Sequence, residues 1–176
     1  MKKGDGMKPK ILGLLAAALL AGPALASNIA FEGTGTVSPT GSPDGAGNLP
    51  LFASGDYSFD GQAGWSLSSP FTFNLGLGTG AGTFSFSRAA DSLFGTLATV
   101  GTQTGFALNY TIAGGTGLYQ GASGYGESVV TLLGDPNQPP TPFIESGRFT
   151  VPEPGTLALI GLGLAGLGLS RRRKAN

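Results

Sequence analysis

The sequence predicts an all-β domain, an antiparallel barrel or sandwich of about eight strands, flanked by an N-terminal signal peptide and a C-terminal single membrane-spanning helix. Three observations carry that reading. All eleven Phe, all four Tyr and the single Trp fall between residues 27 and 150, so the middle of the chain is the part able to build a packed core. Apolar residues there recur at every second position, as in Phe71-Thr72-Phe73-Asn74-Leu75-Gly76-Leu77, Phe84-Ser85-Phe86 and Phe106-Ala107-Leu108-Asn109-Tyr110-Thr111-Ile112; such alternation marks half-buried strands. Turn signals punctuate these runs, among them Ser42-Pro43-Asp44-Gly45, Asp60-Gly61, Gly114-Gly115 and Gly134-Asp135-Pro136.

Along the chain, residues 1–26 read as a signal peptide. Lys2, Lys3, Lys8 and Lys10 supply the positive flank, Ile11–Ala21 is an apolar run of 11 residues, and Ala24-Leu25-Ala26 is an A-x-A cleavage site before Ser27. The run is short for a membrane span, which must cross about 30 Å of hydrocarbon. The β domain follows over 27–150, with strands expected at 29–37, 51–59, 64–68, 70–77, 81–88, 91–99, 104–112 and 124–133, and a last one at 144–150. Phe71, Phe73, Phe84, Phe86, Phe106, Leu108, Tyr110 and Ile112 are expected to face the interior. Residues 135–142 hold four prolines, which lack the N–H a ladder needs, so this is either a lengthened hairpin joining 124–133 to 144–150 or the start of the linker to the tail. Phe143, Ile144 and Phe149 favour the hairpin, because they still offer apolar side chains to a core. From Val151 to Asn176 lies a tail of different composition.

Charge is segregated. Ten basic residues balance ten acidic ones overall, but between 27 and 150 only Arg88 and Arg148 stand against eight carboxylates, a net charge of −6. Nucleic-acid binding needs clustered Lys and Arg to displace phosphate counterions, and the domain has no such cluster. There is no Cys and no His in the chain. Disulfides, thiolate nucleophiles, Ser-His-Asp triads and histidine metal ligands are thereby excluded, and no cofactor is expected.

The tail reads Pro152-Glu153-Pro154-Gly155, then an uncharged Leu/Ile/Ala/Gly span over 157–169, then Arg171-Arg172-Arg173-Lys174. Thirteen helical residues span about 20 Å, and the basic cluster would hold its end on the cytoplasmic side. No polar face remains on this span, which argues against an amphipathic surface helix. This order resembles the PEP-CTERM sorting signal. The resemblance implies recognition and removal of the tail by exosortase, a membrane-embedded transpeptidase-like enzyme. It further implies a Gram-negative bacterium that makes extracellular polysaccharide, with the mature protein at the cell surface or in the biofilm matrix. Signal peptidase and exosortase are the expected partners, with exopolysaccharide or matrix proteins beyond them.

Within the domain, the run Gly114-Gly115-Thr116-Gly117-Leu118-Tyr119-Gln120-Gly121-Ala122-Ser123-Gly124 resembles a turn and strand of allene-oxide-cyclase-like and dirigent-like barrels. That resemblance implies an eight-stranded barrel whose interior takes apolar ligands in some members. It carries over the glycine scaffold and no catalytic residue. Glycines there permit positive φ and a bulge that bends one strand into the next. Two further constellations are weaker. Asp56 and Asp60 could join a calcium site but lack the ligand density of a calcium loop, so turn acids are the plainer reading. Trp65, Tyr57, Tyr119 and Tyr125 could form an aromatic platform for sugars, or pack in the core. Two functions follow: a non-enzymatic interaction module, or a small-ligand-binding or enzymatic barrel. A filled interior with exposed aromatics favours the first, and a deep cavity with convergent polar groups the second.

Overall fold

The computed structural model describes residues 26–152. Eight antiparallel strands close into a barrel in chain order: β1 (Ala26–Pro39), β2 (Asn48–Phe59), β3 (Gln62–Asn74), β4 (Thr79–Arg88), β5 (Asp91–Gly101), β6 (Gly105–Thr116), β7 (Gly124–Leu132) and β8 (Thr141–Pro152). β8 pairs back onto β1 from Ala26↔Pro152 to Val37↔Thr141, which leaves no free edge. The barrel, not the sandwich, is the architecture.

Two expected elements differ. The strands foreseen at 64–68 and 70–77 are one strand, β3, running through Ser69 and Pro70. Pro70 has no N–H to give β4, and the Ser69 hydroxyl instead donates to the Thr83 carbonyl at 2.9 Å. β3 ends at Asn74, whose side-chain carbonyl accepts from the Gly76 and Leu77 N–H groups and starts the turn. Leu75 and Leu77, read as continuing the alternation, are therefore exposed in a loop. The Pro-rich segment does join the last two strands as a hairpin, with Leu132 paired to Phe143, but β8 already starts at Thr141, so Thr141 and Pro142 belong to the strand and pair with β1.

The barrel is narrow enough for side chains to fill. Phe84, Phe86, Tyr110 and Ile112 are buried, while Phe71, Phe73, Phe106 and Leu108 are half-buried against the core near one end. The other end, where β1 begins and β8 finishes, is filled by aromatic rings. Phe31 stacks on Phe149 with centroids 4.5 Å apart, and Phe59 stacks on Trp65 at 4.5 Å. Such bulk fits because small residues face it: an added Cβ at Gly147 would lie 2.6 Å from the Phe31 ring.

Candidate functional site

Between the aromatic end and the half-buried phenylalanines sits one carboxylate. Along β8 the odd residues Phe143, Glu145, Gly147 and Phe149 point inward, so alternation alone carries Glu145 into the interior, where it is 4% exposed. Burying an unpaired carboxylate is very costly. Three hydroxyls from three other strands meet it. Tyr110 on β6 donates to Oε1 at 2.5 Å, Ser128 on β7 donates to the same oxygen at 2.6 Å, and Tyr57 on β2 donates to Oε2.

Tyr57 reaches Glu145 because of Gly33. Gly33 on β1 is the register partner of both Tyr57 and Glu145, so the three lie in one row across β2, β1 and β8. A side chain at Gly33 would occupy the space of the Tyr57 ring. Its absence lets that ring cross the strand.

Burial pushes the Glu145 carboxyl above its ordinary value of 4.5, and the three hydroxyl bonds oppose that rise without cancelling it. Burial first, and the neighbouring carboxylate second, hold the Tyr57 and Tyr110 phenols well above the ordinary tyrosine value of 10.0. Neither tyrosine is poised to act as a phenolate. The cluster is a saturated hydrogen-bond node. Beside it lies a cavity of about 30 Å³, bordered by Glu145, Tyr110, Ser69, Thr99 and apolar side chains. Thr99 Oγ1 is buried there without a protein partner. The space is of the size of a water molecule.

The glycine motif forms the connection it was expected to form. Gly114 and Gly115 lie in the last residues of β6, which ends at Thr116; Gly117–Tyr119 make one 3₁₀ turn; Gly117 has φ +59° and Gly121 φ +75°; Gly124 opens β7. The Leu118 N–H donates to Asp91 Oδ1 at 2.9 Å, tying the turn to β5. A bulge is present: Phe94 pairs with Gly114 but Gly95 pairs with Ile112, leaving Ala113 as the extra residue.

Other candidates disperse. Asp56 is exposed, and Asp60 accepts the Ala30 N–H in the β2–β3 turn at 2.9 Å. Among the described residues no cluster of three or more His, Cys, Asp or Glu could hold a metal. Trp65 and Tyr57 are interior, Tyr119 is half-buried against Trp65, and only Tyr125 stays exposed, so the four form no platform. Of the terminal candidates, Ala26 starts β1, Ser27 is exposed on it, and Pro152 closes β8. Ala24, Glu153, Pro154, Gly155, Arg171, Arg172, Arg173 and Lys174 lie outside the described residues, as does the expected terminal helix. Among the described residues no helix is long and apolar enough to cross a membrane.

Residues 150–174 match the family model of the PEP-CTERM protein-sorting motif. The chain carries a PEP-CTERM sorting tail. That motif marks an exported protein, held transiently in the membrane and processed by an exosortase. The barrel ahead of the tail is similar to a solved pterocarpan synthase dirigent protein, with 13% identity, 86% of this chain and 99% of that chain covered, and a TM-score of 0.52. This likeness shows a shared fold. A pyocyanin demethylase is 16% identical over 70% of this chain and 99% of its own, with a TM-score of 0.44. No curated protein matches the PEP-CTERM chain.

The sequence points to an interior Tyr110 and singles out Tyr57, but it does not single out Glu145 or Ser128, nor the meeting of the four. A signal existed: Glu145 shares the inward parity of Phe143 and Phe149 on the same strand.

Proposed function

We propose that the barrel is a non-enzymatic interaction module, delivered by its PEP-CTERM tail to the cell surface or matrix of a Gram-negative bacterium, where it associates with exopolysaccharide. The observation that supports this is the filled interior. The one inward carboxylate is engaged by three hydroxyls, and the cavity beside it is about 30 Å³, which leaves the outer face for recognition. The absence of His and Cys from the chain fits a module without acid–base or thiol catalysis. The test is a glycan array probed with the exported protein. Retention on polysaccharide would agree with the proposal, and retention of small apolar molecules alone would contradict it.

A second reading is a small-ligand-binding or enzymatic barrel. It is favoured by the unpartnered Thr99 hydroxyl, which shares the cavity with Tyr110 and Glu145 beneath half-buried Phe71 and Phe106. Ligand-induced quenching of Tyr and Trp fluorescence, lost in Thr99→Val, would decide for it.

A further inference from the structure

The outer surface of the barrel is divided by charge. Glu32, Asp56, Glu127 and Arg148 project from β1, β2, β7 and β8. From Ser66 to Ser87 and from Ser92 to Thr116 there is no Asp, Glu, Lys or Arg. Four adjacent strands, β3 to β6, therefore present an outer sheet with no charge except at the β4–β5 turn, where Arg88 pairs with Asp91 at 3.8 Å.

In the middle of this sheet lies an aromatic ring. Phe94 points outward from β5 and is 40% exposed. An added Cβ at Gly114 would lie 2.8 Å from Phe94 Cζ and 3.0 Å from Cε2, so the ring rests across the bare backbone of β6. The bulge at Ala113 makes this seat, because it turns Gly114 outward where regular alternation would turn it in. Hydroxyls surround the ring. Ser85 is its register partner on β4, Ser92 and Thr96 flank it along β5, and Thr111 faces Thr96 on β6. One strand further, Tyr125 pairs with Thr111 and is 65% exposed, giving a second aromatic two strands, or about 10 Å, from β5.

We infer that this face, centred on Phe94, is the binding surface for a neutral polysaccharide. The inference rests on the interaction-module reading and names its surface and its partner. A pyranose ring has a C–H face, which suits the negative face of an aromatic ring, and a rim of hydroxyls, which exchange hydrogen bonds with Ser and Thr. Neutral hydroxyls lose less on desolvation than charged groups. A polyanion would be repelled by a domain of net charge −6 and would find on this face no cation but Arg88, which is paired with Asp91. A polycation would be drawn to the acidic strands instead.

The test is affinity electrophoresis of the full chain in neutral detergent, through native gels containing dextran, amylose, galactomannan or alginate. The expected result is retardation by at least one of the three neutral polymers and none by alginate. Phe94→Ala and Thr96→Glu should each weaken that retardation about tenfold or more while thermal unfolding stays unchanged. Retardation kept by both variants would overturn the Phe94 face and leave the polysaccharide reading standing. No retardation in any gel would overturn both. Retardation by alginate alone would overturn the choice of a neutral partner. Variants that alter only sedimentation of the chain would make this face a contact between copies, and overturn the inference as well.

Discussion

Glu145 is where a single side chain decides most about the interior. Its carboxyl has a folded pKa above the unfolded value of 4.5, so ionisation favours the unfolded chain. The stabilisation is complete below pH 4.5 and is lost as pH rises through the folded value. Melting temperature should therefore fall from pH 4.5 upward, and Glu145→Gln should flatten that slope; an unchanged slope would show that Glu145 does not cause it. Both interior tyrosines titrate above 10.0 for the same reason, so strong alkali should unfold the barrel. Packing gives a separate expectation. Phe84 is 2% exposed, and Phe84→Ala should cost about 3–5 kcal/mol in denaturant unfolding. Phe106, half-buried at the looser end, should cost less when truncated. The inward-facing phenylalanines were readable because alternation is a local property. The Glu145 node was not, because it joins β2, β6, β7 and β8, and only closure of the barrel brings those strands together.

At the level of elements, the Gly114–Gly124 connection shows which glycines the fold requires. At Gly117 a Cβ would collide with Asp91 Oδ1, which caps the Leu118 N–H, whereas the Cβ of Gly121 would meet nothing. Both have positive φ. Gly121→Ala should thus cost about 1–2 kcal/mol for the left-handed backbone alone, and Gly117→Ala clearly more, by denaturant unfolding. Equal losses would mean that the Asp91 cap carries no weight. The bulge was expected from the glycines, but its consequence was hidden: which ring would lie over Gly114 depends on the β5–β6 register. The division of β3 into two strands failed for a definite reason. Ser69-Pro70 carries a break signal, yet the Ser69 hydroxyl fills the place of the missing proline donor and the strand continues.

For the whole molecule, the termini of the barrel meet at Ala26↔Pro152, so the chain enters and leaves at one end. The half-buried phenylalanines and the loop 135–140 belong to the opposite end. The matched sorting motif overlaps the end of β8 at residues 150–152, with Val151 still buried and Pro152 both the last strand residue and the first of the Pro-Glu-Pro block. The sorting tail was legible from sequence because it is a linear pattern. The uncharged outer face of β3 to β6 was not, because it is assembled from four strands. If the uncharged span over 157–169 suffices for anchoring, as its sequence leads one to expect, a specific role for Pro152-Glu153-Pro154 predicts a separable defect. Arg171–Arg173→Glu should disturb insertion or retention by removing the positive stop. The most direct measurement is a blot of membrane and extracellular fractions, with an epitope in the exposed 135–140 loop. Replacing Pro152-Glu153-Pro154 by alanines should leave export and insertion intact while full-length chain accumulates in the membrane. Release and trimming of that variant as in the wild type would contradict a sorting role for the block and leave it a mere linker.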